Sequence, residues 1–215
     1  ERATAQSDAI RLRNQIHAVL LQLDPVYKDH LPNVRSRAWI EAVACYRRPT
    51  SDVLAEVRTA SVRRLAQRLQ QVTDQIDSLS QQIWALATEA GFAPLTRIYG
   101  INLLTAGMLG GLLGPGQRFA SDAALAAYAG VAPLEASSAG LVRHRLNRGG
   151  NRQLNAVLHM IALTQMRSWP PAQAYIARRV SEGKSQREAR RALKRAPRSV
   201  SATMRRPSAL TPSAE

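Results

Sequence analysis

The apolar positions of residues 1–23 form a narrow stripe. Ala5, Ala9, Leu12, Ile16, Val19 and Leu23 step by four, three, four, three and four, the spacing that keeps side chains on one helix face. Asp24-Pro25 predicts the end of this helix, because the residue before a proline is pushed out of the α region. Pro25, Pro32 and Pro49 punctuate the stretch 25–51, which reads as connection around one short helix near Trp39 and Val43. A longer stripe follows: Val62, Leu65, Leu69, Val72, Ile76, Leu79, Ile83, Leu86 and Ala90, with arginine, glutamine and aspartate between them. A sustained seven-residue repeat of this kind predicts a long helix with a coiled-coil seam. Two partners are open to it: a second chain, or the first helix folded back as an intrachain hairpin. Gly91 and Pro94 predict its end.

Beyond residue 91 the segments shorten. Leu95–Leu113 is apolar and glycine-rich, with a turn at Gly114-Pro115-Gly116. Ser121 is placed to cap a helix running to Tyr128, with Gly130 just past its end. Residues 133–150 are polar and basic without a period. Asn151–Arg167 reads as a helix stopped by Pro170-Pro171, and Ala172–Val180 as a short one. Ser185-Gln186-Arg187-Glu188 has capping-box spacing and opens a basic helix to about Arg195. No run reads as a β-strand. The expected class is all-α, with a helical coiled-coil region over 1–91 and a small helical domain over 92–195. Residues 196–215 are rich in Pro, Ser, Thr and Arg, with hardly any large apolar side chain to offset the entropy of ordering, and are expected to be disordered.

Charge narrows the choice of partner. The 215 residues carry 30 basic and 15 acidic side chains, a net of +15. Residues 1–100 hold 13 basic and 10 acidic groups, whereas residues 101–215 hold 17 and 5. A basic C-terminal half of this kind predicts a polyanionic partner. Nucleic acid fits better than a membrane surface, because no amphipathic stretch pairs a basic face with a bulky aromatic one. Only Lys28, Lys184 and Lys194 are lysines. The arginine excess suits bidentate phosphate contacts, and a GC-rich genome would produce it as well. No apolar run reaches the roughly 18 residues a membrane span needs. One cysteine, Cys45, excludes an intrachain disulfide or a cysteine-based zinc site. With no leader-like opening, the expected location is a reducing cytoplasm.

Four groups of residues could carry chemistry. Tyr99-Gly100-Ile101-Asn102, followed by Thr105-Ala106, reads either as a helix–helix turn of a bundle or as a helix-hairpin-helix whose backbone N–H groups meet a phosphate. In the second reading Asn102 stands at the second glycine of the hairpin and takes a left-handed conformation. Ser137 and Ser138 lie in a polar stretch followed by Arg143, Arg145, Arg148 and Arg152. A serine beside arginines is compatible with phosphoryl transfer, because guanidinium groups stabilise the charge that builds on the phosphate oxygens. It is equally compatible with a DNA-contact loop or a solvated basic turn. His144 is the only histidine close enough in sequence to Ser138 to be a candidate base. The acids Asp122, Glu135, Glu182 and Glu188 form no carboxylate cluster, so no metal is assigned.

Several short blocks, in order, carry a resemblance. They are Tyr99-Gly100-Ile101 with Leu104-Thr105-Ala106, Arg118-Phe119-Ala120-Ser121, and Ala126-Ala127-Tyr128-Ala129-Gly130-Val131-Ala132-Pro133. Glu135-Ala136-Ser137-Ser138, Arg145-Leu146-Asn147-Arg148 and Gly150-Asn151-Arg152-Gln153-Leu154-Asn155 follow. Tyr175, Gly183-Lys184 and Ala192-Leu193-Lys194-Arg195 complete them. Over Leu95 to about Arg195 the sequence resembles the C-terminal domain of the IS one-ten family of insertion-sequence transposases, related to the Piv invertase. The resemblance implies DNA strand exchange by a serine nucleophile, which falls on Ser138, with Ser137 second. Ala139 stands where the family usually has glycine. It also implies a structured guide RNA beside the DNA, assembly through the coiled coil, and a nucleoid-associated protein. The family's Mg²⁺ belongs to an N-terminal RuvC-like domain with an Asp-Glu-Asp-Asp site, for which this sequence has neither strands nor acids. No cofactor is therefore expected within this chain.

The expectation is thus a piece of a transposase, inactive alone, with a C-terminal tail whose composition suits a frameshifted end. The alternative is a non-enzymatic coiled-coil module that binds nucleic acid and regulates a full-length transposase.

Overall fold

Short polar side chains open the helices. Ser36 Oγ accepts from the Trp39 N–H at 3.1 Å, Asn102 Oδ1 from Thr105 at 2.8 Å, Ser121 Oγ from Ala124 at 3.2 Å and Asn151 Oδ1 from Leu154 at 3.0 Å. The capping box expected at Ser185 is present: Ser185 Oγ accepts from the Glu188 N–H at 3.3 Å, and Glu188 Oε2 accepts from the Ser185 N–H at 2.9 Å. The computed structural model describes residues 1–47, 52–114, 118–135, 144–146 and 149–194. They divide between two compact units, Glu1–Gln81 and Gln82–Glu215.

The first unit holds α1 (Arg2–Leu23), a 3-10 turn (Tyr27–Asp29), α2 (Arg37–Ala44) and most of α3 (Val53–Glu89). Leu12, Ile16 and Leu20 of α1 share a core with Val62, Ala66 and Leu69 of α3, and α2 adds Trp39, Ile40 and Val43. Each large side chain buried here contributes about 1.5–3 kcal/mol. Arg2 Nε donates to Ser80 Oγ at 2.7 Å, so α1 runs antiparallel to α3. Of the two partners open to the α3 seam, the intrachain one is thus realised over its first half. The stripes drift from a seven-residue repeat: Leu20 is buried in place of Val19, and Ala66 more deeply than Leu65. A straight helix turns every 3.6 residues, so its buried face advances past a 3.5-residue seam.

In the second unit, the end of α3 is followed by a 3-10 turn (Ala93–Arg97), α4 (Leu103–Leu113), α5 (Asp122–Tyr128), β1 (Pro133–Glu135), β2 (His144–Leu146), α6 (Arg152–Ser168), α7 (Pro170–Ser181) and α8 (Gln186–Lys194). Leu95, Ile101, Leu109, Leu113 and Leu125 meet Leu154, Val157, Leu158 and Ile161 of α6 in the main core. Ala162, Ala172 and Leu193 form a smaller one under α7 and α8. The all-α class stands, with one addition that the sequence pattern did not give. β1 and β2 pair antiparallel, Pro133 opposite Leu146, Leu134 opposite Arg145 and Glu135 opposite His144. Three residues per strand are too few for a two-residue period to show. The tail 196–215 lies outside the described residues, among which no helix is long and apolar enough to cross a membrane.

Candidate nucleic-acid interface

Gly100 turns the chain into α4 at φ +88, a conformation costly for any residue with a side chain. A Cβ there would lie 3.1 Å from the Ile161 carbonyl oxygen of α6. The flanking Tyr99 is held on the same helix. Its carbonyl accepts from Gln165 Nε2 at 2.8 Å, its hydroxyl donates to the Ser168 carbonyl at 3.0 Å, and its ring stacks on Trp169. Asn102 is extended, at φ −97 and ψ 173, rather than left-handed as the hairpin reading expects. Its Oδ1 accepts from both the N–H and the hydroxyl of Thr105, each at 2.8 Å. Asn102 thus caps α4, Thr105 is buried beneath it, and the element before the turn is a five-residue 3-10 turn.

Thirty residues further on, two backbone segments cross. A Cβ on Gly150 would lie 2.2 Å from the Gly130 nitrogen and 2.3 Å from its Cα, so only glycine allows the approach. The crossing is tied by side chains. The Asn151 N–H donates to the Tyr128 carbonyl at 2.8 Å, and Asn151 Nδ2 to the Tyr128 hydroxyl at 3.2 Å. Asn155 Nδ2 donates to the carbonyls of Ala129 at 3.0 Å and Gly130 at 3.3 Å. Lys194 Nζ, from the last residue of α8, donates to Asn155 Oδ1 at 3.1 Å. Residues 131–149, which contain the β1–β2 ladder, therefore leave and return through one fixed root.

Most sequence-predicted site residues of the arginine-bearing stretch lie outside the described residues. Ser137, Ser138 and Arg143 lie in the connection between β1 and β2, outside the described residues, as does Arg148 after β2. Arg145 lies in β2, its backbone opposite Leu134. Arg152 is the first residue of α6 and is exposed. Arg118 sits at the same root, its guanidinium carbon 4.7 Å from the centroid of the Phe119 ring and 4.6 Å from that of Tyr128. Two ring faces hold this exposed guanidinium in place. The hydrogen bond from Asn151, and after it the one from Arg118, lower the Tyr128 phenol from its ordinary pKa. No group of three or more His, Cys, Asp or Glu among the described residues could hold a metal ion.

The family model described as Transposase IS116/IS110/IS902 family matches residues 93–177. Residues 93–177 are thus similar to the transposase domain of this family. The chain is also 35% identical over 127 residues to the insertion element IS110 uncharacterized 43.6 kDa protein of Streptomyces coelicolor. The match covers 58% of this chain and 31% of that relative, so the chain spans about a third of its length.

Within the matched region the sequence pattern points to the Gly100 turn and to the arginine-bearing stretch, and not to the root. Gly130, Gly150, Asn151 and Asn155 belong to the blocks that carry the resemblance, but no chemistry was attached to them. One signal was present. Asn151 caps α6 and Asn155 lies one turn into it, and two amides so spaced offer donors and acceptors on one side of the helix start. That Asn151 meets the Tyr128 hydroxyl and Asn155 the carbonyls of Ala129 and Gly130 depends on the crossing at Gly130, a contact between residues twenty apart that no local pattern encodes.

Proposed function

We propose that this chain is the DNA-handling C-terminal part of a transposase, with Ser138 as nucleophile and Ser137 as the second candidate. In the reaction the Ser138 Oγ–phosphorus bond forms as one P–O bond to the neighbouring deoxyribose breaks. The serine loses its proton, and the departing sugar oxygen takes one up. Arg143, Arg145, Arg148 and Arg152 stabilise the charge on the phosphate oxygens, and Arg118, held against the Phe119 and Tyr128 rings, joins them. The amide groups at the start of α4, reached through the Gly100 turn, give the backbone a further contact. Phosphodiester chemistry is reversible by the same route, which suits strand exchange.

The observation that carries this reading is the root itself: a serine-bearing connection launched from a crossing of two glycines locked by Asn151 and Asn155. A nucleophile benefits from such anchoring, because misplacement of the attacking atom lowers the rate steeply. The reading includes a guide RNA bound alongside the DNA and assembly of copies through α3. The outer end of its seam supports assembly, with Leu86 and neighbouring Trp84 exposed.

The test is a covalent protein–DNA adduct trapped on a denaturing gel with the full-length transposase. Ser138→Ala abolishes the adduct and leaves DNA binding intact, whereas Ser137→Ala retains it. An adduct that survives Ser138→Ala, or no adduct in any variant, overturns the assignment; the second outcome supports the regulatory binding module instead.

A further inference from the structure

The cationic side chains of α8 are not all spent on ion pairs. Asn155 and His159 lie one turn apart on α6, and Arg190 and Lys194 lie one turn apart on α8, the helix packed against it. The 3.1 Å bond from Lys194 to Asn155 brings the two pairs together. His159 Nδ1 is buried and has no hydrogen-bond partner, a costly condition for a ring nitrogen. Among the described residues no carboxylate lies within 4.0 Å of Arg190 or Lys194. Glu182 pairs with Arg178 and Arg179, and Glu188 is engaged in the cap of α8. Burial first, and then Arg190 and Arg191, lower the Lys194 ammonium from its ordinary pKa. Burial, Lys194 and Arg190 do the same to the His159 imidazolium. Like charges held together without a counter-ion destabilise a fold, and a bound anion removes that penalty.

We propose that Arg190 and Lys194 of α8, with His159 of α6 and with Lys194 held by Asn155, form a seat for one backbone phosphodiester at the root of the serine-bearing hairpin. The proposal rests on the nucleic-acid reading above and gives it a fixed point. Asn155 holds the carbonyls of Ala129 and Gly130 with its amide nitrogen while its amide oxygen takes Lys194. A phosphate on α8 is thereby indexed to the place where the hairpin starts. DNA and RNA share the phosphodiester, so the seat itself does not choose between them.

The experiment measures binding of the 215-residue chain to a labelled DNA duplex, and separately to an RNA hairpin, over a series of salt concentrations. The double variant Arg190→Gln/Lys194→Gln is compared with Arg64→Gln/Arg68→Gln, which removes the same charge from an exposed face of α3 at the same spacing. One lost phosphate contact lowers the log–log salt slope by about 0.9 for duplex DNA and by about 0.7 for a single strand. That loss is expected for the α8 pair with at least one of the two ligands, and the ligand that shows it identifies the source of the phosphate. The α3 pair leaves both slopes unchanged. Equal losses from the two pairs, or none from the α8 pair, overturn the seat. A second readout is the NMR titration of the His159 ring with inorganic phosphate. Phosphate raises the imidazole pKa in the wild type and not in Arg190→Gln/Lys194→Gln; an unmoved titration also overturns the seat. If the chain bound neither oligonucleotide while phosphate still moved His159, the nucleic-acid reading would fail and the anion site would stand.

Discussion

Gly150 is the residue on which the site's geometry depends most. Any β-carbon there meets the Gly130 backbone at 2.2–2.3 Å, and two backbones must separate to admit it. Gly150→Ala should lower stability by about 1–3 kcal/mol, the usual cost of overpacking, and loosen the root, measured by denaturant unfolding and by hydrogen exchange at Asn151. An unchanged unfolding curve would contradict the crossing. The histidines make a second residue-scale prediction. Burial, then Lys28, lowers the His17 pKa in the first unit, and burial, then Lys194 and Arg190, lowers that of His159. A histidine with a lowered folded pKa binds its proton more readily in the unfolded chain. Stability is therefore full above the unfolded value of about 6.5 and is lost as pH falls through it. The unfolding midpoint should drop between pH 7 and 5, and replacing both histidines with glutamine should flatten that drop. His17 and His159 were legible in sequence only as helix residues, because what surrounds them comes from other elements.

At the scale of elements, most of the local structure was written in the chain. Stripes of apolar residues gave α1 and α3, and the polar starts at Ser121 and Ser185 gave the beginnings of α5 and α8, since both signals act within one or two turns. The β1–β2 ladder was not legible, because it joins residues about a dozen apart through only three pairs. Asn102 was legible as a residue of the Gly100 turn but not in its role. Its type suits a left-handed turn and an N-cap alike, and the φ of −97 decides for the cap. The two roles respond differently to substitution. Asn102→Asp should leave stability nearly unchanged, while Asn102→Ala should cost about 1 kcal/mol, with the Thr105 hydroxyl losing its acceptor as well. Equal effects of both on the thermal midpoint would contradict the capping role.

The whole molecule is strongly basic, with its excess in the C-terminal half. That asymmetry is legible in the amino-acid sequence alone, and so is the resemblance of residues 95–195 to a transposase domain. The fixed root is not, because it assembles residues from α5, α6 and α8. The central claim is that the serine carried by this root attacks DNA. Its most direct test identifies the residue that becomes covalently attached. An adduct trapped with the full-length transposase is digested with trypsin and nuclease, and the nucleotide-bearing peptide is sequenced by mass spectrometry. Cleavage after Arg118 and Arg143 isolates residues 119–143, which contain both candidate serines, Ser137 and Ser138, together with Ser121 and Tyr128. The account predicts the nucleotide on Ser138 of that peptide; a nucleotide on Tyr128, or on a peptide from elsewhere in the protein, would contradict it.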